Sequence, residues 1–592
     1  MACPFEVPPG SPAYCGQVSV PEDPSQPQGR QIKVAAALLP SLAANPAPDP
    51  LVLIQGGPGA SGFDYFGSYL PQPEYAAYRA RHDLIIVELR GTHHADPFLA
   101  CQALQAYYLD VLEDDIAPDG YLLRYFGALG DCKATWTAAG VDFSQYTSTT
   151  MAQDIPLLLD ALGYAGEANF YGVSYGSLVA QRLLQVAPER VRSLILDGVV
   201  VPHASPWQQL PYSAERAFGL MFQACQRDAA CTAAYPDLEA DFWAALSELD
   251  SQPARLNIED PQSGRVYRYE VGSLEALSLM FNRFYVTEYL PKLPQEMAAF
   301  IAGDYTVLEE EVAYQYLDDT FSDAVFYAAV CAEYYLGYED LIYRNLPSEF
   351  EAAFEPYFIP RDCEQIPSQQ VTWTARQPIE SDRPALILSG QFDPITPPAF
   401  GKLAAGGLSA AYVFTLPGMG HGTWSSHPCA DSLVAQFLDQ PEEMPNAACI
   451  RAMALSFSVP PPSPNLQIGE GYQFELAGDW VAAAELGVYI PADSRVAELR
   501  AGVWDTEAPS LAAIQWAESA GLPPLQQGQS FRAGRYEWAA FYVMDGGQAW
   551  QIGAMSAAGQ SYLLILSAPA EEIESLMTPV WKLALETWEV VP

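Results

Sequence analysis

A serine bracketed by glycines, Gly172-Val173-Ser174-Tyr175-Gly176, sits where the chain passes from an apolar run into a helical one. Before it, Ala168-Asn169-Phe170-Tyr171 is short and apolar enough for a buried strand. After it, Ser177–Ala187 reads as a helix that must stop before Pro188. So sharp a strand-to-helix turn is strained and brings the neighbouring backbone very close, which is why glycine flanks it. The turn lifts the serine hydroxyl clear of the sheet. That limits the fold to a sheet with a strand feeding directly into a covering helix.

The surrounding sequence supplies the rest of such a sheet. Leu51–Gln55 and Asp83–Leu89 read as buried strands, the helix Met151–Gly163 leads into the strand before Ser174, and Val191–Val201 follows. Cys3–Pro9, Cys15–Pro21 and Gln31–Pro40 alternate like edge strands. Buried strands alternating with helices predict a mostly parallel sheet covered on both faces. From 203 to 378 helix signals, aromatics and acidic residues take over, and strands resume at Pro384–Leu388 and Ala411–Leu416. An insertion between two core strands, above their carboxyl ends, is expected to form a mainly helical cap.

The expected organisation is therefore a core in two parts, 1–202 and 379–458, with a smaller insertion at about 96–145 and the cap at 203–378. A stiff Pro-rich linker at 459–465 then leads to an α+β unit at 466–592. In that unit Tyr472–Leu476, Tyr536–Met544, Ala549–Met555 and Ser561–Leu566 look like antiparallel strands and Ala570–Trp588 like a closing helix. It holds no histidine and no cysteine, so no chemistry is assigned to it, and a surface or polymer is its expected partner.

A serine hydroxyl needs a base to take its proton and an acid to orient that base. The chain has 6 histidines, and His421, in Gly420-His421-Gly422 just after the strand Ala411–Leu416, has the glycine-flanked loop that suits a base. Asp393, in the loop after Leu386–Ser389, is the expected acid, with Asp197 at the end of an earlier strand as its rival. The order Ser174, Asp393, His421 is that of an α/β-hydrolase. Two amides must hold the oxyanion. Tyr175, after the nucleophile, offers one, and Gly57, in Gly56-Gly57-Pro58-Gly59 after an early strand, offers the other. His93 and His94 lie near Asp96, where a metal site is conceivable, but no metal or organic cofactor is expected.

With 28 Lys+Arg against 72 Asp+Glu, the formal charge is −44, which excludes a nucleic-acid partner and argues against anionic lipid. No apolar run reaches the ~20 residues of a membrane span. Ten cysteines without C-x-x-C spacing point to disulfides and an oxidising compartment. Sequence permits about 945 pairings, and sequential pairing is the expectation, since each bridge then closes one short segment. A secreted or periplasmic location follows. Met1-Ala2-Cys3-Pro4 has no basic or apolar leader, so the sequence is expected to represent a mature form whose signal peptide has been removed.

On these residues the chain resembles the proline iminopeptidase and tripeptidyl aminopeptidase family of α/β-hydrolases. The carriers are Gly56-Gly57-Pro58-Gly59 with Ser61-Gly62, Tyr171–Gly176, Gly390–Pro398 and Gly420-His421-Gly422. Cys331-Ala332-Glu333 and the Cys429/Cys449 pair resemble the secreted, tripeptidyl-type branch. The likeness covers about 3–455 and implies a serine peptidase removing amino acids or short peptides from free amino termini. It implies Glu333 as the anchor for the substrate ammonium group. The alternative is a carboxylesterase or amidase on the same scaffold, with Phe281, Phe284, Tyr285, Tyr334 and Tyr335 shaping an apolar pocket. Where the family carries Asp-x-Arg-Gly-x-Gly-x-Ser, this chain has Glu88-Leu89-Arg90-Gly91-Thr92-His93-His94-Ala95, a departure expected to alter substrate choice.

Overall fold

The apolar runs around Ser174 are strands of one sheet in the computed structural model of the chain. The structure describes residues 2–7, 12–71, 75–113, 118–261, 263–334, 347–354, 360–365, 369–459, 466–469, 472–475, 480–482, 488–491, 497–504, 506, 508–527, 530–533, 536–557, 559–570 and 573–590. The chain divides into two compact units, Met1–Val459 and Pro460–Pro592.

In the first unit the strands are β1 (Tyr14–Pro21), β2 (Gln31–Leu39), β3 (Leu51–Ile54), β4 (Leu84–Glu88), β5 (Ala168–Val173) and β6 (Val191–Asp197), followed by β7 (Ala254–Glu259), β8 (Val266–Val271), β9 (Ala385–Gly390) and β10 (Ala411–Leu416). Among the described residues eight of them form one sheet in the order β1-β2-β4-β3-β5-β6-β9-β10. The pairs β1/β2 and β2/β4 are antiparallel and the others parallel. Every residue of β3, β4, β5 and β9 is buried, as expected of parallel strands covered by helices on both faces. Each buried Val, Leu or Ile there contributes about 1.5–3 kcal/mol. This is an α/β-hydrolase sheet.

Register aligns the strand ends. Val173 pairs with Asp197, Asp197 with Leu388, and Gly390 with Leu416, so β5, β6, β9 and β10 finish along one edge. The loops carrying Ser174, Asp393 and His421 all leave from that edge, where ligands bind in such sheets.

Two segments interrupt the sheet. Between β4 and β5 the helices Gln102–Glu113 and Pro118–Ala138 are joined by Cys101–Cys132. Between β6 and β9 runs a segment of helices with its own core, in which Phe218, Phe242, Phe281, Phe284, Phe300 and Phe354 pack together. That segment also contains the β7–β8 hairpin, which a search for apolar runs overlooks. Its residues alternate buried and exposed, with Arg255, Glu259, Arg268 and Glu270 facing out. The ten cysteines are paired in sequential order, as Cys3–Cys15, Cys101–Cys132, Cys225–Cys231, Cys331–Cys363 and Cys429–Cys449.

Two expected strands need correction. The described part of Cys3–Pro9 is not a strand, and its Cys3 is bridged to Cys15 on β1. The strand expected over Val191–Val201 stops at Asp197, where the chain turns at Gly198. The Pro-rich stretch 460–465 lies outside the described residues.

In the second unit a sheet contains Glu498–Trp504, Gln560–Pro569, Gln548–Ala557 and Tyr536–Asp545 as antiparallel neighbours. Gly546 and Gly547, both at positive φ, make the two-residue turn of the central hairpin. The closing helix is broken into Ile573–Leu576, a π-helical stretch Met577–Lys582 and Leu583–Glu586. Among the described residues no helix is long and apolar enough to cross a membrane.

Candidate active site

Ser174 has φ 55° and ψ −129°, a left-handed backbone for a residue with a side chain. Such strain costs about 1–3 kcal/mol and persists only where the surroundings over-determine it. Here they do. Ser174 N–H donates to Asp197 O (2.9 Å), Ser177 N–H and Oγ–H both reach Ser174 O (2.9 and 2.6 Å), and Val200 N–H donates to Ser177 Oγ (2.9 Å). The flanking glycines are required by close approach. A Cβ at Gly172 would lie 2.4 Å from Gly176 O, and one at Gly176 would lie 2.2 Å from Ile54 O.

The loop after β3 lies against this turn. A Cβ at Gly56 would fall 2.6 Å from Tyr175 N and 2.7 Å from Ser174 Cβ, so Gly56 backbone touches the elbow directly. Gly57 follows at φ +104°. Among the described residues neither Gly57 N–H nor Tyr175 N–H donates to a turn or loop carbonyl.

Asp393 is fully buried. Its Oδ1 accepts from Ile395 N–H (3.0 Å) and Thr396 N–H (2.7 Å), and its Oδ2 from Thr396 Oγ–H (2.8 Å). His421 Nδ1 lies 2.9 Å from the same Oδ2, which assigns the proton to Nδ1 and leaves Nε2 as the proton acceptor. Burial alone would raise the Asp393 carboxyl, but the charge and hydrogen bond of His421, with the Thr396 donors, hold it below its usual range. Burial pulls His421 down, and Asp393 outweighs it, so the imidazole titrates above its ordinary value. No hydrogen bond joins Ser174 Oγ to His421 among the described residues. Such bonds often form only once substrate is bound.

The His421 loop is held by the segment inserted between β6 and β9. His421 N–H donates to Tyr285 O (2.8 Å), Gly420 N–H to Thr287 Oγ1 (3.1 Å), and the Tyr285 ring meets the imidazole edge-on at 5.2 Å. Sequence reasoning missed Thr396 and Thr287, and it placed Tyr285 in an apolar pocket instead of against the His421 loop. The Asp-x-x-Thr spacing was a usable signal for Thr396, but nothing marks a backbone carbonyl in a distant segment. Asp197 takes the loop-binding role: it accepts from Tyr171 Oη–H (2.7 Å), Thr423 N–H (2.6 Å) and Thr423 Oγ–H (3.0 Å).

Glu333 departs from its expectation as an ammonium anchor. It is buried, and Ser148 N–H (2.9 Å), Ser148 Oγ–H (2.5 Å) and Tyr175 Oη–H (2.7 Å) already occupy its two oxygens. It braces the side chain of Tyr175 from behind the elbow. The aromatics expected to line an apolar pocket are also mostly structural: Phe281 and Phe284 are core, Tyr334 Oη–H donates to Val201 O (2.9 Å), and Tyr335 lies outside the described residues.

If His421 must be neutral to accept a proton, kcat/KM falls at acid pH and rises as pH climbs through the His421 pKa. The raised value places that inflection above the ordinary ~6.5 of histidine. A pH–rate profile with an acid limb centred well below 6.5 would contradict the assignment.

A family described as TAP-like protein matches residues 351–449, the stretch that carries Asp393, His421 and the Cys429–Cys449 bridge. The chain is 28% identical over 231 residues to the serine protease Hip1 of Mycobacterium tuberculosis (37% of this chain, 42% of that protein). It is 24% identical over 323 residues to a tripeptidyl aminopeptidase of Streptomyces coelicolor (53% of this chain, 57% of that protein). It is 26% identical over 327 residues to carboxylesterase B of M. tuberculosis (50% of this chain, 58% of that protein). The match thus spans between 42% and 58% of the length of these curated relatives. A solved proline iminopeptidase from Mycobacterium smegmatis aligns over 72% of this chain and 99% of its own, at 16% identity and a TM-score of 0.36. The resemblance to the tripeptidyl aminopeptidase family rests on the TAP-like match and on the curated relatives.

Proposed function

We propose that this serine hydrolase of the α/β-hydrolase superfamily is an aminopeptidase, releasing amino acids or short peptides from free amino termini through an acyl-enzyme. The observation that supports the proposal is that the loops bearing Ser174, Asp393 and His421 leave one register-aligned edge of β5, β9 and β10, with His421 Nδ1 2.9 Å from Asp393 Oδ2. Ser174 Oγ attacks the scissile carbonyl carbon while His421 Nε2 takes its proton. Asp393 holds the imidazole in the required tautomer and stabilises the imidazolium that forms. The amides of Gly57 and Tyr175 bind the oxyanion. As the tetrahedral intermediate collapses, the C–N bond breaks and His421 gives its proton to the leaving amine. Water then enters and attacks the acyl carbon as His421 takes its proton; the C–Oγ bond breaks, the acid product leaves, and His421 returns the proton to Ser174 Oγ.

Two relatives named as peptidases favour an amide substrate. With the oxygens of Glu333 occupied, the ammonium subsite is assigned to Glu288. It is an exposed carboxylate next to Thr287, whose Oγ1 holds the His421 loop. The relative named as a carboxylesterase supports ester hydrolysis as a second reading. The five bridges fit an oxidising, extracellular or periplasmic setting.

A matched pair of tripeptide anilides, free and N-acetylated, tests the proposal alongside short-chain nitrophenyl esters. Cleavage of the free anilide at least about tenfold faster than its blocked twin is expected, with Glu288→Gln raising KM for the free form only. Hydrolysis of the esters with neither anilide cleaved would overturn the peptidase assignment in favour of the esterase.

A further inference from the structure

We propose that Asp64, His93 and His94 form a binding site for a divalent cation of the zinc type, completed by water. The three side chains come from two elements. Asp64 stands in the first turn of the helix Gly62–Tyr69, and the histidines occupy the loop after β4. His93 Nδ1 lies 2.7 Å from Asp64 Oδ2, and His94 Nε2 lies 2.8 Å from Asp64 Oδ1. One ligand atom from each residue falls within 4.8 Å of the others. Asp96, the carboxylate closest to the histidines in sequence, is not part of the cluster and pairs with Lys33 at 2.7 Å.

His93 and His94 are neighbours in a turn closed by Ala95 N–H to Thr92 O (3.0 Å), and aiming both imidazoles at one carboxylate needs a group that holds this turn. Glu88 is that group. From its buried position at the end of β4, its Oε1 accepts from Thr92 Oγ–H (2.6 Å) and His94 N–H (3.2 Å), which folds the loop back. Its Oε2 accepts from Ser61 Oγ–H and Phe63 N–H (both 3.0 Å), and Ser61 Oγ in turn caps Asp64 N–H (3.1 Å). One buried carboxylate therefore fixes both halves of the cluster. The two rings lie 4.2 Å apart, with Phe98 beside His93 and Phe63 beside His94. The donors are preorganised from beneath by groups that are not ligands themselves.

Two imidazole nitrogens and a carboxylate oxygen suit zinc and similar transition ions and do not suit calcium or magnesium. Bonds of about 2.0–2.2 Å in a tetrahedron separate ligand atoms by roughly 3.3 Å, so each nitrogen–oxygen distance must open by about half an ångström. Side-chain exposures of 37% for Asp64 and 32% for His93 leave room for that movement and for a water ligand. On binding, the lone pairs of His93 Nδ1 and His94 Nε2 pass to the metal. Their hydrogens are carried by the opposite ring nitrogens or released, and Asp64 exchanges two accepted hydrogen bonds for a metal–oxygen bond. The net charge of −44 concentrates cations around the whole molecule, so the test must separate this site from diffuse binding.

The full-length protein, stripped with chelator, is titrated with Co²⁺ followed by visible absorption and with Zn²⁺ followed by calorimetry at physiological salt. One equivalent is expected in each case, with Zn²⁺ displacing Co²⁺ and excess Mg²⁺ displacing neither. His93→Ala/His94→Ala should weaken that equivalent by at least about tenfold, and Asp96→Asn should leave it unchanged. In the unaltered protein, Zn²⁺ should protect His93 and His94 from carbethoxylation, read by peptide mass spectrometry, which keeps the test independent of how the variants fold. Equal binding by the double variant, or no protection of the two histidines, would overturn the assignment.

Discussion

Ser174→Ala is expected to lower kcat by on the order of 10⁴- to 10⁶-fold, because the nucleophile, base and acid act as a unit. The fold should barely register the change. Ser174 Oγ has no hydrogen-bond partner among the described residues, and the contacts that hold the strained backbone run through Ser174 N–H and O, which alanine keeps. Denaturant unfolding should therefore shift by no more than about 0.5 kcal/mol. Loss of activity with an unchanged unfolding midpoint separates chemistry from stability. A variant retaining activity within tenfold of the parent would remove Ser174 from the mechanism.

The opposite pattern is expected at Arg90. Its guanidinium is fully buried and pairs with both oxygens of Asp154 (2.7 Å each), while Nη1–H also donates to Glu22 O (2.7 Å) and Gln145 O (2.8 Å). Truncation to alanine leaves a buried carboxylate and three carbonyls, those of Pro21, Glu22 and Gln145, without this donor. That costs about 3–5 kcal/mol, a large share of the ~5–15 kcal/mol that holds a domain folded. Asp154→Ala should be similarly damaging, and the double variant should lose clearly less than the sum of the two, since removing both partners leaves no buried unpaired charge. A cost below about 1 kcal/mol for Arg90→Ala would contradict this account of the pair. Arg90 persists from the family's Asp-x-Arg-Gly stretch, and its bonds to Glu22, Gln145 and Asp154 tie β4 to three separate parts of the core.

Parallel strands buried on both faces leave continuous apolar runs in sequence, which is why β3, β4, β5, β6 and β9 could be located with their connecting loops; β10 lies at the sheet edge with only Leu416 buried, yet its run Ala411–Leu416 is apolar enough to read as a strand. The triad candidates were legible for a related reason: each follows an apolar run, His421 sits directly between glycines, and Ser174 has a glycine two residues away on each side. What stayed hidden depends on partners far away in the chain. The resemblance implied Glu333 as an ammonium anchor, yet its donors are Ser148 and Tyr175, 185 and 158 residues distant. His93 and His94 suggested Asp96 by proximity, but the fold brings up Asp64, about 30 residues upstream, because Glu88 ties both segments together. The β7–β8 hairpin escaped because charged residues occupy its outer face, so its alternation lacks a continuous apolar run.

The most direct test of the central assignment is to inactivate the protein with a fluorophosphonate and map the adduct by peptide mass spectrometry. The account predicts one stoichiometric adduct on Ser174, abolished by Ser174→Ala and slowed by orders of magnitude in His421→Ala. An adduct on a different residue, or full-speed labelling without His421, would contradict a nucleophile activated by the His421–Asp393 pair.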